Sequence, residues 1–392
     1  MAIADFLNQI DKERIYKTII QLEGPRHPLD NMDALDAAAD YISGELSSYG
    51  LEVEMQEFKV EGMDDTFRNV IGYLGDRSSP AILLGSHYDT VRNSPGANDN
   101  LSGVAISMEV VRVLAQMEDP PSVIIAVFTL EEGHPYIAKQ IRDDCLEQGI
   151  LDSKFRFTSA KMTEFRKTLA SLLRKYFRQG KMRLECYEAA ERELEGKLSE
   201  EEARYLDILI KANRSVVEGS SFSISHTLVG SNHYVRKILQ ENTKIEGAIV
   251  IDTVGWIKNQ DHTQQPLPIP QEVTRLYKVD VENWVGNFVA IIGDNNSGAL
   301  LNKFLANCED ETIDVPYIGV NLPIEYPQIS KTIPDLLRSD HAPFWEVGIP
   351  TLFLADTANF RSELYHTPAD TSGSIDFETL KKLAQATLAT IL

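Results

Sequence analysis

Histidines and carboxylates recur in this chain at intervals that let them act together. Ser86-His87-Tyr88-Asp89-Thr90 follows the apolar run 81–85, and Asp99 stands ten residues beyond Asp89, within Gly96-Ala97-Asn98-Asp99-Asn100. The pair Glu131-Glu132 follows 123–130, Asp252 follows 248–251, and Tyr365-His366 lies beyond 351–354. Five acids gathered without a counter-charge (Asp89, Asp99, Glu131, Glu132, Asp252) repel one another strongly, and divalent cations are the natural remedy. Imidazole and carboxylate donors with no thiolate suit zinc, with cobalt or manganese as alternatives. Two ions sharing a bridging carboxylate sit roughly 3.5–4 Å apart and clamp a water between them. Glu131, beside a liganding Glu132, is placed to take that water's proton as general base.

Each element has an ordinary reading by itself. H-x-D arises by chance, an adjacent Glu pair is usually solvated, Asp252 suits a turn, and His366 could cap a helix. The conjunction is what points to a site, because every element falls at the end of a strand-like run. In an open parallel α/β sheet, functional groups gather at the carboxyl ends of the strands.

The elements that must position these residues are legible in outline. Residues 32–49 carry apolar side chains at helical spacing, and Gly50 stands where a C-terminal glycine belongs. Leu51, Val53 and Met55 alternate as a half-buried strand, continuing to Phe58 and Val60. The unbroken apolar runs 69–71, 81–84, 123–128, 248–251, 288–292 and 351–354 suit strands buried on both faces. Helical patterns at 101–117 and 377–391 accompany them, while 259–283 reads as a loop. The pattern predicts an α/β fold, a mostly parallel central sheet sandwiched by helices.

One block departs from the alternation. Between about 137 and 218 there is no convincing strand, only charged helical segments. Phe165, Leu169, Leu172, Leu173 and Tyr176 line one helical face, and Ser199-Glu200-Glu201-Glu202 is a capping-box start for a helix bearing Leu206, Leu209 and Ile210. This organisation predicts a catalytic α/β domain formed by 1–136 and 219–392, with 137–218 as a helical insertion. The insertion is either a decoration docked by its stripe on the main domain, a lid, or an arm for homo-oligomerisation.

Composition sets the remaining bounds. The 392 residues are 43% hydrophobic and 25% charged, as in ordinary globular chains. Lys and Arg number 38 against 59 Asp and Glu, a formal net charge of -21 that disfavours nucleic acid and anionic membrane surfaces as partners. Cys145, Cys186 and Cys308 are widely spaced and odd in number, so neither a disulfide framework nor a zinc knuckle is expected. The N-terminal twenty residues mix charges into their apolar positions, so a cytoplasmic location is expected.

The stretches LLGSHYDTV, GANDNLSG, FTLEEG, AIVIDTVG, RSDHAPFWEVGIPTL and YHTPADT, in this order, resemble the co-catalytic zinc exopeptidases of metallopeptidase family twenty-eight. That family includes aminopeptidases, glutamate carboxypeptidases and glutaminyl cyclases, and the resemblance covers roughly 10–136 and 225–392. It implies a phosphorylase/hydrolase-like fold and two Zn2+ per chain. His87, Asp99 and Asp252 would hold one ion and Glu132, Asp99 and His366 the other, with Asp99 bridging. It further implies that Asp89 orients His87, that Glu131 is general base and acid, and that Tyr365 stabilises the tetrahedral oxyanion.

The expected activity is removal of the N-terminal residue from peptide substrates. Alternatives on the same fold are a carboxypeptidase or dipeptidase and a one-zinc, glutaminyl-cyclase-like aminoacyltransferase; a non-catalytic binding protein ranks last, since every ligand type is present. In relatives the Glu-Glu pair runs quickly into a Gly-Ser stretch, which reappears here at Gly230-Ser231, after the helical block. His341 is expected to line the cleft or support a ligand, and Arg338 to touch substrate. His27, His226, His233 and His262 read as structural or exposed, His134 as a pocket-lining candidate.

Overall fold

The computed structural model describes residues 3–177, 179, 181, 183–219, 228–267 and 271–392; His226 lies outside them. Nine strands form one sheet: β1 (Glu52–Lys59), β2 (Thr66–Leu74), β3 (Ala81–His87), β4 (Val123–Phe128), β5 (Ile245–Ile251), β6 (Thr274–Tyr277), β7 (Val289–Gly293), β8 (Tyr317–Asn321) and β9 (Thr351–Ala355). Their order is β1-β2-β4-β3-β5-β9-β7-β8-β6.

The four central strands β4, β3, β5 and β9 are parallel. Both flanks include antiparallel pairs: β1 with β2, β2 with β4, β9 with β7, and β8 with β6. The sheet is therefore mixed rather than mostly parallel. Only residues 60–65 separate β1 from β2, and a parallel pairing needs a crossover of about a dozen residues or more.

Period-two alternation decides what each face covers. In β4, Val123, Ile125 and Val127 join one apolar cluster and Ile124, Ala126 and Phe128 another, on the opposite face. Leu84 and Leu83 of β3 divide in the same way. The helix Leu101–Leu114 is buried almost throughout. It packs on β3 and is covered by the helices Lys12–Leu22 and Phe377–Ile391, which explains an apolar sequence all round it. Among the described residues, no helix is long and apolar enough to cross a membrane.

Two strands escaped the sequence reading. β8 has Gly319 at its centre, which interrupts the apolar run. β6 lies in the stretch read as a loop; it is an edge strand with no fully buried residue, so hydrophobicity left no trace of it.

Residues 135–219 form the helices Pro135–Glu147, Ala160–Phe177, Arg183–Leu194 and Glu200–Gly219. The capping box is real: Ser199 Oγ and Ser199 N–H both donate to Glu202 Oε2, at 2.7 and 2.8 Å. The predicted stripe does not dock on the sheet. Phe165 and Leu169 bury against Leu206, Leu209 and Ile210 in an apolar cluster that the block keeps to itself. After the block the chain returns to its point of departure, with Leu228 N–H donating to Glu131 O and Val229 N–H to Leu130 O.

Candidate metal centre

The parallel block brings the chemistry together. His87 is the last residue of β3, Glu131 and Glu132 follow β4, and Asp252 follows β5; these neighbouring strands present them at one edge of the sheet. His366 arrives from the loop after β9, and Asp99 from the segment preceding the helix Leu101–Leu114. That segment must approach β5 closely. A Cβ on Gly103 would lie 2.4 Å from Ile251 O, so the helix start tolerates no side chain there.

Asp99 faces two ways. Its Oδ1 lies 3.4 Å from His87 Nε2, and its Oδ2 lies 3.1 Å from His366 Nε2. Asp252 Oδ1 stands 3.5 Å from His87 Nε2, and Glu132 Oε2 stands 2.9 Å from His366 Nε2. Glu131 Oε2 is the more distant neighbour of His87 Nε2, at 3.9 Å. Donor atoms of His87, Asp99 and Glu132 lie within 4.8 Å of one another, as do those of His87, Glu131 and Asp252.

These approaches are not hydrogen bonds. His87 Nε2, Asp99 Oδ2, Glu132 Oε1, Asp252 Oδ1 and His366 Nε2 are buried and have no hydrogen-bond partner among the described residues. A buried polar atom left unpaired costs about 1–3 kcal/mol. Five of them meeting at one place, all imidazole nitrogen or carboxylate oxygen, fit a donor set shaped for zinc-like cations.

Charge tells the same story. Burial, reinforced by neighbouring carboxylates, raises Glu131 well above the usual carboxylate range, and burial raises Glu132 to about 7. Burial opposes a charge on His366, yet Glu132 and Asp99 lift it to about 9. His87 is raised too, its burial outweighed by Glu131 and the surrounding aspartates. The cluster by itself thus holds extra protons, which is how a crowded acidic site neutralises itself without cations.

Asp89 has a wider task than orienting His87. Its Oδ1 lies 3.6 Å from His87 Nδ1, and its two oxygens accept the backbone N–H groups of Glu131 and Glu132, each at 3.1 Å. Two further carboxylates went unremarked at the sequence level. Asp370 accepts the N–H groups of Asn98 and Asp99 at 2.9 and 3.1 Å, fixing the segment that presents Asp99. Asp340 is buried with both oxygens unpartnered among the described residues; burial raises it to about 7, and the charges it feels include His87, Asp252 and Asp89. Asp340 sits inside the quoted RSDH stretch and Asp370 inside YHTPADT, so motif membership was the available signal.

His341 differs from its expectation. It is fully buried, stacked on Phe353 at 4.2 Å and edge-on to Trp345, and burial lowers it to about 3, so it packs among aromatic rings rather than lining the cleft. Tyr365 stacks on His366 with ring centroids 3.7 Å apart. Burial raises its hydroxyl well above the usual phenol value, so it is a proton donor at neutral pH. Arg338 is half-buried, which opposes its charge, but it pairs with Asp335 at 3.2 Å, which favours the cationic form. Elsewhere His27 pairs with Asp30, His233 stacks on Phe58, and His134 is half-buried beside Tyr136. The three cysteines are free and buried, behaving as small apolar side chains.

The architecture is shared with solved aminopeptidases and glutaminyl cyclases. The chain superposes on the LapA aminopeptidase of Legionella pneumophila with a TM-score of 0.58 at 15% identity, over 99% of this chain and 73% of that one. A glutaminyl cyclase of Bacteroides thetaiotaomicron, solved with N-acetylhistamine, gives 0.55 at 16% identity and 98% of each chain. The pattern of peptidase family M28 matches residues 69–173 and 318–391 of this chain. Among curated proteins, it is 22% identical to the uncharacterised YfbL of Escherichia coli K12 over 393 residues, covering 96% of this chain and 86% of that protein. It is 29% identical to a probable zinc metalloprotease of Pyrenophora tritici-repentis over 169 residues, about 35% of each.

Proposed function

We propose that this chain is a zinc aminopeptidase with two ions per site, hydrolysing the first peptide bond of peptide substrates. The observation that carries the reading is the division of Asp99, one oxygen toward His87 and the other toward His366. Asp252 completes the His87 group and Glu132 the His366 group. Glu131 is the spare carboxylate. When bound, the metal supplies Lewis acidity toward the scissile carbonyl and acidifies the attacking water.

The chain's own residues do the rest. Glu131 takes the water's proton at a carboxylate oxygen and returns it to the leaving amine nitrogen. Its buried setting and raised affinity for protons suit both halves of that cycle. Tyr365 donates its hydroxyl hydrogen to the oxygen on which negative charge develops. Asp89 holds the turn bearing Glu131 and Glu132 by their backbone N–H groups. The helical block 137–218 is read as an insertion into a domain formed by 1–136 and 219–392. Supporting this, Leu228 rejoins Glu131 by a backbone hydrogen bond.

The test is hydrolysis of free-amino aminoacyl anilides before chelation, after it, and after restoring zinc, cobalt or manganese, with metal counted per chain. Metal-restored cleavage at two zincs per chain is expected. Silence across the panel in metal-loaded protein overturns the aminopeptidase reading in favour of carboxypeptidase or dipeptidase action. One zinc per chain with cyclisation of N-terminal glutamine favours the cyclase.

A further inference from the structure

Between the loop that follows Asp89 and the helical block lies a cavity of about 480 Å3. Arg92, Arg142, Lys154, Arg156 and Arg166 line it, and among the described residues no acidic side chain does. This is an unusual place in a chain of net charge -21. Arg92, Arg142 and Arg156 have outside counter-ions, Asp30 at 2.7 Å, Asp143 at 3.2 Å and Asp152 at 2.8 Å. The ion pairs among the described residues include none for Lys154 or Arg166, both of which are exposed.

Apart from Asn93, the remaining wall is apolar and aromatic. Phe157 meets Tyr205 edge to face at 5.4 Å, and the Arg142 guanidinium lies 5.0 Å from the Phe155 ring centre. The volume falls within the range of roughly 300–1,000 Å3 usual for small-molecule sites. Arginine forks take carboxylate or phosphate oxygens in paired bonds, and aromatic walls take a flat or apolar body. A bare anion would leave the aromatic wall wet; a bare hydrocarbon would leave the cations facing one another.

We propose that this cavity binds organic anions, a carboxylate or phosphate carried on an apolar or aromatic body. Two sources share that chemistry: a free small molecule, and the acidic tail of a peptide substrate. The second is reachable because Arg92 lies three residues beyond Asp89, and the helix Pro135–Glu147 starts three residues beyond Glu132. The binding itself does not depend on the peptidase reading.

Phenyl phosphate, titrated calorimetrically into the full zinc-loaded chain, is the probe. Wild type is compared with the double variant K154Q/R166Q, whose two exposed positions lie outside the metal centre and leave basal turnover unchanged. Expected are saturable binding by wild type, at least tenfold weaker binding by the variant, and at least tenfold weaker binding of phenol and of inorganic phosphate. No binding by wild type, or equal affinity in both proteins because the probe sits at the metal centre, overturns the proposal. Inorganic phosphate binding as tightly as phenyl phosphate overturns it equally. Pentapeptides ending in Phe-Asp and Phe-Asn then identify the source. A KM at least fivefold lower for the acidic tail, lost in the variant, assigns the substrate; equal KM values with phenyl phosphate binding intact assign a free molecule.

Discussion

Replacing Asp89 with asparagine changes one atom and tests how the centre is held. Asp89 is fully buried, and its two oxygens accept Glu131 N–H and Glu132 N–H at 3.1 Å each. In Asp89→Asn one oxygen becomes an NH2 group, so one of those backbone donors faces another donor. The loss of a charge-assisted bond with a buried N–H left unpaired costs about 1–3 kcal/mol. The substitution also removes the anion 3.6 Å from His87 Nδ1, which acts with the Asp89 backbone carbonyl at 3.3 Å to favour a proton on that nitrogen and leave Nε2 for metal. Losing such a partner lowers metal affinity or activity about 10–100-fold. Zinc affinity by chelator competition, kcat on the best anilide at saturating zinc, and Tm together read these effects. The expectation is a 10–100-fold loss of zinc affinity with a lower Tm, and partial recovery of kcat in excess zinc. Zinc affinity and kcat both within about twofold of wild type refute the reasoning. A fall in Tm alone reduces Asp89 to a residue that holds a turn.

Glu131→Gln should keep its full zinc complement while kcat falls about 10²–10⁴-fold, as loss of a general base predicts; near-normal turnover removes Glu131 from the mechanism. Asp99→Ala takes away the member common to both donor groups, so metal analysis should find both ions lost, and retention of two zincs contradicts the bridging role. The zinc-free protein should lose stability between about pH 5 and about pH 8. Burial raises Glu132 and Asp340 to about 7, so their folded-state advantage is complete below the unfolded value and vanishes as pH climbs. His366, raised to about 9, adds to the same slope, while Asp99 is shifted the other way and acts only in acid, below this window. Thermal scans should show Tm falling with pH in chelator and the gain on adding zinc growing over the same range. A Tm in chelator that is flat or rises with pH contradicts this account.

The sequence by itself determined the residue types, their order and the elements that end in them. Runs such as 81–85 and 123–128 announce strands buried on both faces, because a strand covered by helices on each side has no polar positions to betray its period. His87, Asp99, Glu131, Glu132, Asp252 and His366 were legible because each follows such a run or opens a helix. Edge strand β6 was not, since its four residues, none fully buried, are too few to show an alternation, and the antiparallel flanks were not, since pairing is decided by connection length and neighbours. Only the tertiary structure decided which oxygen of Asp99 faces which histidine, that Asp89 and Asp370 accept backbone N–H groups, and that His341 stacks on Phe353 while its neighbour Asp340 feels the charge of the site. The stripe of the helical block belongs with these. Its period predicted a buried face, but a helix's apolar face specifies only that something covers it, and here the cover is its own neighbours. Directions of side chains, and the partners they meet, are properties of strands brought side by side from distant parts of the chain; no local pattern encodes them.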